Sequence, residues 1–202
     1  MASFKKIRMN ISTLFRKIYY FKSFCQFKAC GSNVILSSGG KFIRPDEVSL
    51  GTNVFIGSNF HISARNVTIG NNVMIGPNFI IEADDHLYKK VGVLMFDMKD
   101  ERTHGYVKIE DDVWIGASSI ILKRVTVGEG SVIGAGSIIT KDIPPYSICV
   151  GSPCKPFKTR FNLNDLRIHL KEVASKKEYL EVIEYWKKFN LISLNETIDT
   201  KL

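Results

Sequence analysis

What this chain of 202 residues lacks narrows its identity before any motif is considered. No run approaches the roughly 18 uninterrupted apolar residues of a membrane-spanning helix. Its four cysteines (Cys25, Cys30, Cys149, Cys154) match no zinc spacing and are too few for a disulfide framework, which points to reduced thiols in a cytoplasmic protein. The four histidines stand 25, 18 and 65 residues apart, so no close pair offers the three-histidine zinc pattern and no catalytic metal is expected. Cys154 has a cation beside it, Lys155, that would favour its thiolate, but no histidine base adjoins it in sequence, and a small buried residue is the expected role.

Acid is missing from one region. The first 45 residues contain nine Lys or Arg and no carboxylate. Removing those nine from 28 leaves 19 basic against 20 acidic residues, so the formal +8 belongs to the N-terminal segment. Within it Ile7, Ile11, Leu14, Ile18, Phe21 and Cys25 draw an apolar stripe at helical spacing. Lys and Arg interrupt the stretch too often for the apolar core of a signal peptide. Two roles suit it: a cap over the open end of a repeat fold, or attachment to the anionic inner face of a cell membrane. No nucleic-acid motif accompanies the cations, so nucleic acid is not an expected partner.

What is present is a ladder. Leu50, Ile56 and Ile62 recur every six residues; after one extra residue Ile69, Ile75 and Ile81 do the same. Ile109, Ile115, Ile121, Val127, Ile133 and Ile139 continue without interruption. Seven of the twelve are followed by glycine, a residue suited to a bend at each corner. An α-helix needs apolar residues at 3 to 4 spacing; a hexad makes one short strand and one corner of a β-helix. The expected organisation is a basic helical arm (1–30), an all-β β-helix (31–152) with an inserted loop (86–108), and a largely helical C-terminal extension (153–202). Leu163, Leu166, Leu170 and Val173, then Tyr179, Leu180, Ile183 and Trp186, supply the helical spacing of that extension, with Asn162 or Asn164 as a cap.

Three hexads to a turn put Leu50 above Ile69, Ile56 above Ile75 and Ile62 above Ile81. The extra residue near Asn66, the 28-residue gap from Ile81 to Ile109, and His86 then fall at one corner, between the third face and the first. His61 falls at another. A long excursion from a regular coil tends to be functional. His86 follows Asp84 and Asp85, and a histidine beside carboxylates suits removal of a proton from a hydroxyl.

The second half carries a specific resemblance. Asp112-Val113-Trp114-Ile115-Gly116-Ala117, the run from Val125 to Ser137, Thr140-Lys141-Asp142-Ile143-Pro144-Pro145-Tyr146 and Gly151-Ser152-Pro153-Cys154-Lys155 together closely resemble the hexapeptide-repeat acetyltransferases. The branch is the one containing galactoside and maltose O-acetyltransferases and the O-acetyltransferases of bacterial surface polysaccharides. The resemblance covers about residues 50–160. It implies a left-handed β-helix, a homotrimer, and acetyl-CoA bound in a cleft between subunits as acetyl donor. By position His86 matches the family's general base and Trp114 the aromatic residue of the cofactor and substrate tunnel. Ala117 and Ala135 match positions whose backbone approaches pantetheine, Thr140 and Lys141 the pair near its phosphate end, and Lys158, with Lys155 nearby, a basic residue against the CoA phosphates. Ser63 stands where the galactoside enzyme uses an asparagine on its acceptor sugar, a departure that bears on the acceptor. The implied reaction is direct acetyl transfer to a sugar hydroxyl in cell-surface polysaccharide synthesis. The competing expectations are a small soluble acceptor (a free sugar, an antibiotic or an amino-sugar nitrogen) and a non-catalytic β-helix scaffold.

Overall fold

In a computed structural model the described residues are 26–98, 102–175 and 177–193. They form a parallel β-solenoid of about six turns, the left-handed β-helix that the resemblance implies, followed by two α-helices. The stripe over residues 7–25 lies outside the described residues. All twelve ladder side chains are buried at 3% exposure or less and belong to one continuous core. Their stacking follows the six-residue phase. Leu50 pairs with Ile69 and Ile69 with Ile109 on the first face. Ile56, Ile75 and Ile115 align on the second, and Ile62, Ile81 and Ile121 on the third. The spacing works because strand residues alternate between faces: one aliphatic side chain points inward while its two strand neighbours point out.

The corners are built differently from the sequence expectation. The glycines after the ladder residues do not have positive φ; the bends fall three residues after the inward residue, at Asn33, Asn53, Asn72 and Asp112 on one corner and Asn59, Asn78 and Ser118 on the next, all with φ between 54° and 59°. Asparagine and aspartate tolerate this left-handed region because their short polar side chains bond locally. Here they also bond between coils: Asn33 Nδ2 donates to Asn53 Oδ1, and Asn53 Nδ2 to Asn72 Oδ1, each at 2.9 Å. The glycines serve coil stacking instead. A Cβ on Gly76 would stand 2.6 Å from the Ala117 nitrogen, and one on Gly116 2.5 Å from the Ala135 nitrogen.

The domain boundaries also shift. Ala29–Cys30 already pairs with Ser49 and Leu50, so the solenoid includes residues before 31. At its N-terminal end Phe27, Phe42 and Phe60 stack edge to face, with ring centroids 4.8 and 4.9 Å apart. At the other end Ser147–Val150 is followed by an antiparallel return strand, Lys155–Thr159, before the helices begin.

Helix α1 (Leu163–Glu172) starts at Asn162, whose side chain accepts the Asp165 N–H at 2.8 Å. With α2 (Tyr179–Lys188) it closes a second core around Tyr146, Leu166, Leu170, Val182, Ile183 and Trp186. Val173 and Leu180, expected on the apolar stripe, are exposed, and Val182 is buried in their stead. Polar groups fix the docking. Trp186 Nε1 donates to the Pro145 carbonyl at 2.8 Å, and the Tyr146 hydroxyl donates to Glu129 Oε1 at 2.7 Å. Lys177 Nζ lies 3.4 Å from Glu110, and Arg160 donates to Asp112 at 2.7 Å.

Two titrations report on this docking. Burial pushes Glu110 up, but the Lys108 hydrogen bond, the Lys177 charge and the Glu129 N–H together hold it below its ordinary 4.5. Burial and the Arg160 charge hold His169 below its ordinary 6.5, against the smaller pull of Asp112 and Glu129. In both cases the unfolded chain binds protons more readily in the affected range, so stability falls with acid. Melting temperature is expected to fall as pH drops below 6.5 and again below 4.5. His169→Gln flattens the upper part of that profile and Glu110→Gln the lower. In the solenoid, Ile121→Ala removes a fully buried side chain. The expected cost is about 2–5 kcal/mol by denaturant titration, read as a shifted midpoint with an unchanged slope.

Candidate functional site

The long excursion leaves where the phase of the ladder puts it, at the corner between the third face and the first. Asp84–His86 runs out from the end of Ile80–Glu82 and pairs antiparallel with Arg102–His104, Asp84 facing His104 and His86 facing Arg102 in register. The return is tied down by Gly105 N donating to the Ala83 carbonyl at 3.1 Å. His86 is exposed on this ribbon. Because strand side chains alternate, Asp84 lies on the same side as His86 and Asp85 on the other. Asp85 forms an ion pair with Lys123, from the corner of the following coil. Of the two acids expected to flank the base, only Asp84 thus shares its side of the ribbon. Lys123 was not among the residues singled out from sequence. Its signal was available, since Lys123 follows Ile121-Leu122 in the coil stacked on Ile81.

Ser63 ends the strand His61–Ser63, half-buried and in register with Glu82, two residues before Asp84. Thr140 and Lys141 follow Ile139, which aligns with Ile121, and both are exposed. They therefore share the corner of His86, two strands further along the axis, or roughly 10 Å at the usual strand separation. Ala117 and Ala135 stack at the opposite edge of the third face, each against the glycine of the preceding coil. The third face thus spans from Ala117 and Ala135 to Thr140 and Lys141.

The remaining residues lie elsewhere. Trp114 points outward from the second face, half-exposed, between Met74 and Val132. Lys158 pairs with Ile148 at the end of that same sheet, and Lys155 opens the exposed return strand. One copy of the chain therefore brings together Ser63, Asp84, His86, Thr140 and Lys141, but leaves Trp114, Lys155 and Lys158 on another face. The outward row of the second face is apolar throughout: Ile35, Phe55, Met74, Trp114, Val132 and Ile148. The outward row of the first face is Ala29, Ser49, Thr68, Lys108 and Thr126, small or polar residues.

Cys154 is buried and shares a hydrogen bond with Cys149. That hydrogen bond holds Cys154 low and is the first cause pushing Cys149 up, with burial second. The lowering thus comes from Cys149 and not from Lys155, and burial removes the sulfur from a soluble carbonyl. His61 is half-buried on the third face, and His169 packs on Phe161 with ring centroids 4.6 Å apart. Among the described residues no group of three or more His, Cys, Asp or Glu side chains converges to hold a metal.

A parallel solenoid of hexads, broken once for a histidine-bearing ribbon, defines a class, the hexapeptide-repeat transferases. Two family profiles match: "Bacterial transferase hexapeptide (six repeats)" over residues 106–141 and "Hexapeptide repeat of succinyl-transferase" over 47–83. A maltose O-acetyltransferase of Clostridium difficile 630 superimposes with a TM-score of 0.60 at 31% identity, covering 68% of this chain and 72% of that one. An acetyl-CoA complex of a hexapeptide-repeat acetyltransferase from Vibrio cholerae gives 0.62 at 25% identity, over 71% and 76%. A Schizosaccharomyces pombe protein named as an acetyltransferase is 60% identical over 52 residues, 26% of this chain and 25% of its own. Against such curated relatives the chain spans about a quarter of their length. The chain belongs to the hexapeptide-repeat acetyltransferase family.

The Lys123–Asp85 pair is a side-chain tie from the solenoid to the base of the ribbon. Lys123→Met is expected to speed hydrogen exchange and protease cleavage across residues 84–104 while leaving the unfolding midpoint of the solenoid within experimental error.

Proposed function

We propose that this chain is an acetyl-CoA-dependent O-acetyltransferase acting on a sugar hydroxyl in cell-surface polysaccharide synthesis, with His86 as general base. The observation that carries the reading is the placement of His86 at the one corner where the coil is broken, on the edge of the face that also bears Thr140 and Lys141. A neutral ring nitrogen of His86 takes the proton of an acceptor hydroxyl as its oxygen attacks the thioester carbonyl. The new C–O bond forms, the C–S bond breaks, and the thiolate of CoA leaves and is protonated. The burial of Cys154 favours this direct route over an acetyl-enzyme.

Three copies of the chain around an axis complete the reading. The apolar outward row of the second face is a surface that another copy would cover. Such packing would bring Trp114, Lys155 and Lys158 of one subunit toward the His86 corner of the next, with the lysines set against the phosphates of CoA. Ser63 and Asp84, beside the base, would then contact the acceptor. The setting is the cytoplasmic side of the cell membrane, with the basic segment 1–30 as an attachment element.

The test is thiol release from acetyl-CoA with a panel of sugars, lipid-linked glycans and amino sugars as acceptors. His86→Ala should lower turnover on the order of 10²–10⁴-fold while acetyl-CoA affinity stays near that of the unaltered protein. Unchanged turnover in that variant would remove His86 from the mechanism.

A further inference from the structure

Residues 88–96, Tyr-Lys-Lys-Val-Gly-Val-Leu-Met-Phe, form the tip of the excursion that begins after His86. Among the described residues six apolar side chains are more than 60% exposed, and five of them are here: Tyr88, Val91, Leu94, Met95 and Phe96. Val91 is 99% exposed. The tip turns at Gly92, whose φ is +78°, with no atom within 4 Å of where a Cβ would stand. Beyond the tip the chain makes a single 3₁₀ turn, Met95–Asp97, and Met98 is buried again at 5%. The stem is anchored at both ends while the apolar tip is exposed on a single copy of the chain.

A contiguous exposed apolar patch of this kind marks an interaction surface. Its composition selects the partner. Lys89 and Lys90 adjoin the apolar tip, and the only acid between 87 and 98 is Asp97, at its far end. Lys89 Nζ sits 5.4 Å from the ring centroid of Tyr88. Aromatic rings favour the level of lipid headgroups, aliphatic side chains enter just below, and lysines reach from an apolar bed to anionic phosphates. The charge sign agrees with the nine uncompensated cations of the first 45 residues.

We propose that loop 88–96 is a lipid-contact element that inserts its apolar tip into the surface of an anionic membrane. His86 is five residues from Val91, which an extended chain spans in at most about 18 Å. Insertion therefore keeps the His86 corner at the headgroup level, where a glycan held on a lipid carrier presents its hydroxyls. That last consequence rests on the reading of His86 as base; the insertion does not.

The test is flotation of the full-length protein with phosphatidylcholine vesicles, alone or mixed with phosphatidylglycerol. Flotation with the mixed vesicles that weakens as salt rises is expected. The combined V91S, L94S and F96S variant should bind on the order of tenfold more weakly or worse, and K89Q with K90Q should lose the preference for phosphatidylglycerol. Leu94→Trp should add fluorescence that bromolipid quenches, above the background of the two native tryptophans. Absence of flotation by the unaltered protein, equal flotation of the serine variant, or unquenched fluorescence at position 94 would each overturn the proposal. So would a serine variant whose only change is its oligomeric mass by light scattering, which would make the loop a subunit contact. Acetyl-CoA affinity on the same preparations follows the catalytic reading, so either can fail without the other.

Discussion

Coil stacked on coil at the separation of hydrogen-bonded strands is the constraint from which the rest of this molecule follows. Each face of the prism has room for one inward side chain per coil, and the ladder fills that room with isoleucine, leucine or valine. The same closeness forbids a Cβ where one coil passes against the backbone of the next, as at Gly76 and Gly116. It also brings equivalent corner side chains within bonding distance, so that Asn33, Asn53 and Asn72 join coils as well as turn them. Burial, backbone approach and corner polarity are three expressions of one repeat distance.

That regularity makes an interruption inexpensive in a particular place. Ile81 and Ile109 are both fully buried, and Ile109 takes the place on Ile69 that an uninterrupted coil would fill. The residues between them leave and return at one corner without disturbing either neighbour in the core. A site made this way inherits its rigidity from the prism and its variability from the excursion. His86 sits on the first strand of that excursion, where the Lys123–Asp85 pair and the Gly105–Ala83 hydrogen bond keep it near the prism. The helices are a separate solution to an end effect. Tyr146 leaves the last coil, and Glu129, through Ser175, and Pro145, through Trp186, hold the helical extension on it.

Much of this was legible in the residues themselves. The pairing of Leu50 with Ile69 and of Ile62 with Ile81 follows from counting by six with one extra residue, and the shared corner of Asn66, His86 and the long gap follows from the same count. The Asn162 cap was legible from local chemistry. Other features were not. The role of glycine was misplaced, because a repeat of Ile-Gly suggests a bend while the spacing between coils decides that it is a close approach. Cys154 is the small buried residue expected of it, but its partner, Cys149, arrives through a tight return that no spacing predicts. Val182 and Leu180 stand two positions apart, on opposite sides of α2, and which one faces the core depends on how the helix sits against Tyr146.

The sequence by itself determined the period, the three faces and the corner at which the solenoid opens, because a six-residue repeat with one inward side chain is a local property. Only the tertiary structure decided which outward rows are apolar, which acid stays on the side of His86, and which chemistry-bearing residues share a face. Those relations join residues one or more coils apart, and their contacts are set by stacking and by the path of the excursion. Trp114 and His86 show the difference: both belong to the repeat count, yet the fold puts them on separate faces of one chain.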